Sequence, residues 1–83
     1  MRGIVKLINT KKEWIAIYTE HDFYCVTEIV DSHLPELGDV ISGNLGDLGG
    51  ERFYNESSQE SFDVFVQDLN DNRQQVINQL GNL

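Results

Sequence analysis

Cysteine, proline and positive charge are all scarce in this chain: one Cys, one Pro, and six Lys or Arg against fourteen Asp or Glu. The lone Cys25 cannot close an internal disulfide, which excludes a disulfide-stapled scaffold and fits a reducing, cytoplasmic setting. No run of about 18 apolar residues is present, so no membrane span is expected. The first residues form no apolar signal segment, and secretion is not expected. Internal repeats and low-complexity tracts are both lacking. A chain of 83 residues with 40% apolar content makes one domain with one small core.

What the chain does hold is a dense run of strand patterning from Gly3 to Val30. The first strand, Gly3 to Asn9, is apolar on both faces, with Ile4 and Ile8 on one and Val5 and Leu7 on the other. That suits a strand covered on both sides, or a long bent strand shared around a barrel. Lys6 sits among them and must aim outward. After Thr10-Lys11-Lys12, the second strand alternates Trp14, Ala16 and Tyr18 against Ile15, Ile17 and Thr19. The aliphatic set faces the core, which leaves the aromatic pair outside. His21-Asp22 supplies a tight turn into the third strand, Asp22 to Val30.

The later chain is sparser. Asp31 to Gly38 is a connector in which Ser32 could cap at most one helical turn before Pro35 and Gly38. A fourth strand is expected from Asp39 to Leu45, a glycine-rich turn from Gly46 to Gly50, and a short strand over Arg52-Phe53-Tyr54. Asn55 to Glu60 reads as an exposed loop tip. Its Asn55-Glu56-Ser57 matches a glycosylation acceptor that is idle in a cytoplasmic protein. Phe62, Val64 and Val66 share one face of the last strand. Asn70 or Asp71 then caps a short helix that ends at Leu80, with Gly81 as its stop and Arg73, Val76, Ile77 and Leu80 on one stripe.

Strands in succession, with no helices between them, exclude a parallel α/β sheet. Closure also hides the edges that an open sheet would expose. The expected fold is therefore mainly all-β: a small, five- to six-stranded antiparallel OB-like barrel with a short C-terminal α-helix. An SH3-like barrel would share the patterning. Residues 1–69 form the barrel, and 70–83 form the helix and tail of the same domain.

Charge is distributed unevenly. Met1 to Tyr18 carries Arg2, Lys6, Lys11 and Lys12 against Glu13, or +3, whereas the remainder carries −11. An acidic whole works against steered binding to polyanions. A basic end on an acidic body still permits a local site.

Two strands and part of a third resemble a cold-shock domain. That family opens on a pattern close to G-x-V-K-W-F-N, then K-G-F-G-F-I, then D-V-F-V-H. This chain has Gly3-Ile4-Val5-Lys6-Leu7-Ile8-Asn9, then Lys12-Glu13-Trp14-Ile15-Ala16-Ile17, then Asp22-Phe23-Tyr24-Cys25-Val26. Leu37-Gly38-Asp39-Val40 is similar to the family's approach to its fourth strand. The resemblance implies a five-stranded OB barrel that binds single-stranded RNA or DNA without a cofactor. Carried over by position, Lys6 and Lys12 keep cationic roles, and Trp14 and Tyr24 keep stacking roles. The family's remaining stacking positions fall on Leu7 and Ala16, and its histidine on Val26. A stacked base is worth about 1–3 kcal/mol, so these departures remove several orders of magnitude in affinity.

The candidate nucleic-acid-binding set is Lys6, Lys11, Lys12, Trp14, Tyr18 and Tyr24. Lysines would neutralise phosphates and rings would carry bases. Trp14 and Tyr18 could instead cover the barrel bottom or pack beneath the terminal helix. A second candidate activity is a protein-interaction module whose acidic surface docks a basic partner or imitates nucleic acid.

No catalytic or metal constellation stands out. His21 and His33 lie twelve residues apart in different loops with no paired cysteine, and read as exposed loop histidines. Asp68-Leu69-Asn70-Asp71-Asn72 opens like a calcium loop, but Arg73 replaces the required glycine and Gln79 the bidentate Glu. No Lys-Ser or Lys-Thr follows Gly43, Gly46, Gly49 and Gly50, so they do not form a phosphate cradle. Cys25, in mid-strand, reads as an inert core thiol. The expectation is a protein that is not an enzyme.

Overall fold

A computed structural model describes residues 1–81. The final residues of the expected tail, 82–83, lie outside the described range. Six antiparallel strands close into a barrel in the order β1-β2-β3-β6-β5-β4, followed by one helix. The strands are β1 (Arg2–Asn9), β2 (Trp14–Thr19), β3 (Tyr24–Ile29), β4 (Val40–Ser42), β5 (Gly49–Asn55) and β6 (Glu60–Asn70). The helix α1 spans Arg73–Leu80. This is the small all-β, OB-like barrel that the patterning predicts.

The two apolar faces of β1 have a simple cause. The β1–β2 register slips between Val5 and Leu7, so that Val5 pairs with Ile17 and Leu7 with Ala16. One residue is thereby inserted at Lys6, and a bulge of this kind bends its strand and reverses the inward set. Val5 lies in the barrel interior before the bulge and Ile8 packs against that interior after it. Leu7 is turned to the outside. A second slip, between Val26 and Thr27 in the β3–β6 pairing, does the same in β6. Val66 faces inward before it and Leu69 after it.

These slips separate two cores. The barrel interior holds Val5, Ile15, Ile17, Cys25, Ile29, Ile41, Leu45, Phe53, Phe62, Val64 and Val66. The second core lies outside the barrel wall, where Leu7, Ala16, Tyr24 and Val26 meet Val76 and Leu80 of α1. Full burial of an aliphatic side chain contributes about 1.5–3 kcal/mol, so Val76 and Leu80 are the apolar anchors of α1, with Ile77 packed beside them.

Two glycines fit where no larger residue could. A Cβ on Gly3 would stand 2.6 Å from Ile17 Cγ2 and 2.8 Å from the Tyr18 carbonyl oxygen, so β1 and β2 approach closely there. Gly43, at φ 145°, turns the chain beside Phe53, whose Cδ1 would be 2.9 Å from a Cβ. This turn ends β4 at Ser42, short of the expected Leu45, and drops Leu45 into the core.

Other boundaries move for local reasons. β3 begins at Tyr24, because Asp22 has φ 64° and belongs to the turn closed by Thr19 N–H donating to the Phe23 carbonyl at 2.8 Å. β5 extends from Gly49 to Asn55, beyond the expected Arg52–Tyr54, because β6 pairs along its whole length. No helical turn forms at Ser32. Asp31 takes over there, its carboxylate accepting from the N–H of His33 at 2.9 Å and of Asp63 at 2.8 Å. The helix cap falls on Asn72, not Asn70 or Asp71, because Asn70 is still paired with Tyr24. Asn72 Oδ1 accepts from Gln75 N–H at 3.0 Å.

Candidate binding surfaces of the barrel

Each of the six expected contact residues has a defined place. Lys6 is exposed at the β1 bulge, and Lys11 is exposed in the β1–β2 turn. Lys12 reaches back over Trp14, with Nζ 4.7 Å from the ring centre, and donates to the Gln79 carbonyl at 3.5 Å. Trp14 is half-buried and packs against the second core. Tyr24 is buried, and its hydroxyl accepts from Arg73 Nη1 at 3.1 Å. Tyr18 meets Tyr24 edge-on at 4.8 Å and donates to Asp22 at 3.2 Å.

The structure thus brings Lys12 to Trp14 and Tyr18 to Tyr24, but it does not join them in one open wall. Helix α1 is seated on Leu7, Ala16 and Val26, on the same face. Those are the positions where the resemblance places two stacking rings and a histidine. Trp14 and Tyr18 both pack against the core that α1 shares with the barrel wall, the placement beneath the helix, and Tyr24 is itself part of that core. Asn9, which sequence reasoning passed over, fastens the arrangement. Its buried amide donates to the Leu80 carbonyl at 2.6 Å, and its Oδ1 accepts from Lys12 N–H at 3.0 Å. Asn9 and Lys12 thereby satisfy carbonyls at the end of α1 that the helix cannot pair itself.

A second polar cluster also went unforeseen. Asn55 is fully buried. Its Nδ2 donates to Asp39 at 2.7 Å and lies 3.3 Å from His33 Nε2, while its Oδ1 accepts from the N–H groups of Ser57 and Ser58. His33 is not the exposed loop histidine that was expected. Its ring packs on Phe62 at 4.8 Å, and Nδ1 stands 3.4 Å from Glu60. Since the Asn55 amide nitrogen can only donate, His33 Nε2 is the acceptor and Nδ1–H points to Glu60. A buried Asn55 also leaves the glycosylation tripeptide without an accessible acceptor. His21 is exposed, as expected. Among the described residues, no three or more His, Cys, Asp or Glu side chains converge in metal-binding geometry.

Three groups titrate away from their ordinary ranges. Burial pushes the Cys25 thiol up to about 11, opposed by its contact with the Thr27 hydroxyl and reinforced by Glu51. Partial loss of solvent and the Asp22 carboxylate both raise the Tyr18 phenol. For Asp31, loss of solvent acts upward but is outweighed by the N–H groups of Asp63 and His33 and by nearby His33 and Arg52, so its carboxyl is lowered.

Acidic charge stays on the surface, and none of the fourteen carboxylates is buried. Among the described residues, Glu56 pairs with Arg2, Asp63 with Arg52, and Glu60 with His33. No described helix is long and apolar enough to cross a membrane. Comparison with known proteins finds no matching family model, no matching curated protein and no matching solved structure.

Proposed function

We propose that this barrel is a non-enzymatic protein-interaction module whose acidic surface docks a basic protein. The supporting observation is the seating of α1. It covers the outer face of β1, β2 and β3 at Leu7, Ala16 and Val26 and engages Lys12, Trp14 and Tyr24. Few cations remain to attract a polyanion, against a net charge of −8. A pull-down from nuclease-treated lysate tests the reading. A basic partner that is retained without nucleic acid, and released as salt rises, is the expected result. Partners that all depend on nucleic acid would overturn it.

The second reading is weak binding of single-stranded RNA or DNA, in line with the cold-shock resemblance. It is favoured by Lys6 and Lys11, both exposed and free of carboxylate partners among the described residues. A low-salt titration with single-stranded oligonucleotides separates the two readings. Salt-dependent quenching of Trp14 supports nucleic-acid binding, and unchanged fluorescence removes it.

A further inference from the structure

Across the outside of β4, β1, β2 and β3 runs a paired row: Val40 beside Ile4, Ile4 beside Tyr18, Tyr18 beside Tyr24. Ile4 is 40% exposed, unusual for an isoleucine flanked on both sides in a sheet. Over this row opens a cleft of about 430 Å³, with Ile4, Val40 and Tyr18 among its lining residues. Gly3 lines the cleft with backbone alone, since a Cβ there would point the other way, toward Ile17 of the barrel interior.

Charge around the cleft has one net sign. The Arg2 guanidinium is held by both carboxylate oxygens of Glu56, at 2.9 and 3.1 Å, and is neutralised there. Glu20 accepts only from the Arg2 backbone N–H at 2.8 Å, and Asp22 only from the Tyr18 hydroxyl at 3.2 Å. Neither carboxylate has a cationic partner among the described residues. An apolar floor, an aromatic wall and two carboxylates without counter-charge call for a ligand with an aliphatic stem and a cationic head.

We propose that this cleft receives an arginine side chain of a basic partner protein. The stem lies on Ile4 and Val40, and the guanidinium meets the Tyr18 ring and the Asp22 and Glu20 carboxylates. Arginine fits better than lysine because its planar head stacks on a ring while it forks onto a carboxylate. The cleft volume lies in the range of natural ligand sites. The proposal rests on the protein-docking reading above and names the anchor that such a partner would bring.

The test is a titration of the full chain with N-acetylarginine amide, followed by backbone amide shifts, with N-acetyllysine amide as comparison. Saturable shifts confined to residues 2–4, 18–22 and 40 are expected, with arginine several-fold tighter than lysine. Asp22→Asn loses a charge-assisted contact and should weaken arginine binding about tenfold. Equal affinity for the two amides, shifts elsewhere on the barrel, or an unaffected Asp22→Asn would each overturn the arginine site. The module reading fails separately. If Asp22→Asn and Ile4→Ser still retain the same basic partner as the parent chain, the cleft assignment falls and acidic docking stands. If the amide titration succeeds but no basic protein is retained, the docking reading falls and the site remains.

Discussion

Truncation of Leu80 to alanine should undock α1 and leave the barrel folded. Leu80 is fully buried, in a core shared with Leu7, Ala16 and Val26 but with no residue of the barrel interior. Removing a buried leucine side chain to alanine costs about 2–5 kcal/mol. Val76 and Leu80 together supply only about 3–6 kcal/mol of burial, so one truncation removes much of the helix's hold. An isolated helix of eight residues has no stability of its own. The loss is therefore limited to undocking and does not spread through Phe53 and Phe62, which anchor the interior. Hydrogen exchange should show the amides of residues 76–81 losing protection while those of β2, β3 and β6 keep theirs. Trp14 emission should shift to the red as its ring loses its cover. Equal loss of protection in helix and strands would refute the two-core argument, and so would an unmoved Trp14 spectrum.

Two further outcomes follow from single side chains. The folded Cys25 thiol ionises near 11, above the value for an unfolded cysteine, so its stabilising contribution is complete below the unfolded value and is lost as pH rises through about 11. Cys25→Val should therefore flatten the alkaline limb of denaturant-measured stability relative to the parent chain; parallel limbs would remove this cause. Asn55→Ala should destabilise by about 1–3 kcal/mol through unpaired groups at Asp39, Ser57 and Ser58, seen as a lower urea midpoint, whereas an unchanged midpoint would make the cluster dispensable.

The alternation of β2 was legible because a period of two leaves Ile15 and Ile17 no other common face. So was the stripe of Val76, Ile77 and Leu80, which identifies a helix with something to cover. That Trp14 and Tyr18 could lie beneath it was legible, but the rest of its seat was not, because a stripe does not name what it covers. Leu7, Ala16 and Val26 read in sequence as lost stacking positions, yet in space they form that seat. The bulge at Lys6 was hidden too. An apolar run on both faces announces a bend but not the residue at which the inward set changes. The cleft was beyond reach for the same reason, since Ile4, Tyr18 and Val40 become neighbours only through register. His33 was misjudged because its burial depends on Phe62, 29 positions away.

The separation of the two cores has an evolutionary corollary. Drift at Leu7, Ala16 or Val26 is answerable to α1 and to the rings of Trp14, Tyr18 and Tyr24, and drift among the interior residues is not. Related sequences should therefore trade volume between these wall positions and Val76 or Leu80 as a closed group. A lineage that gave up its terminal segment would be free to refill the vacated wall with aromatic rings, and its inner packing would not register the exchange.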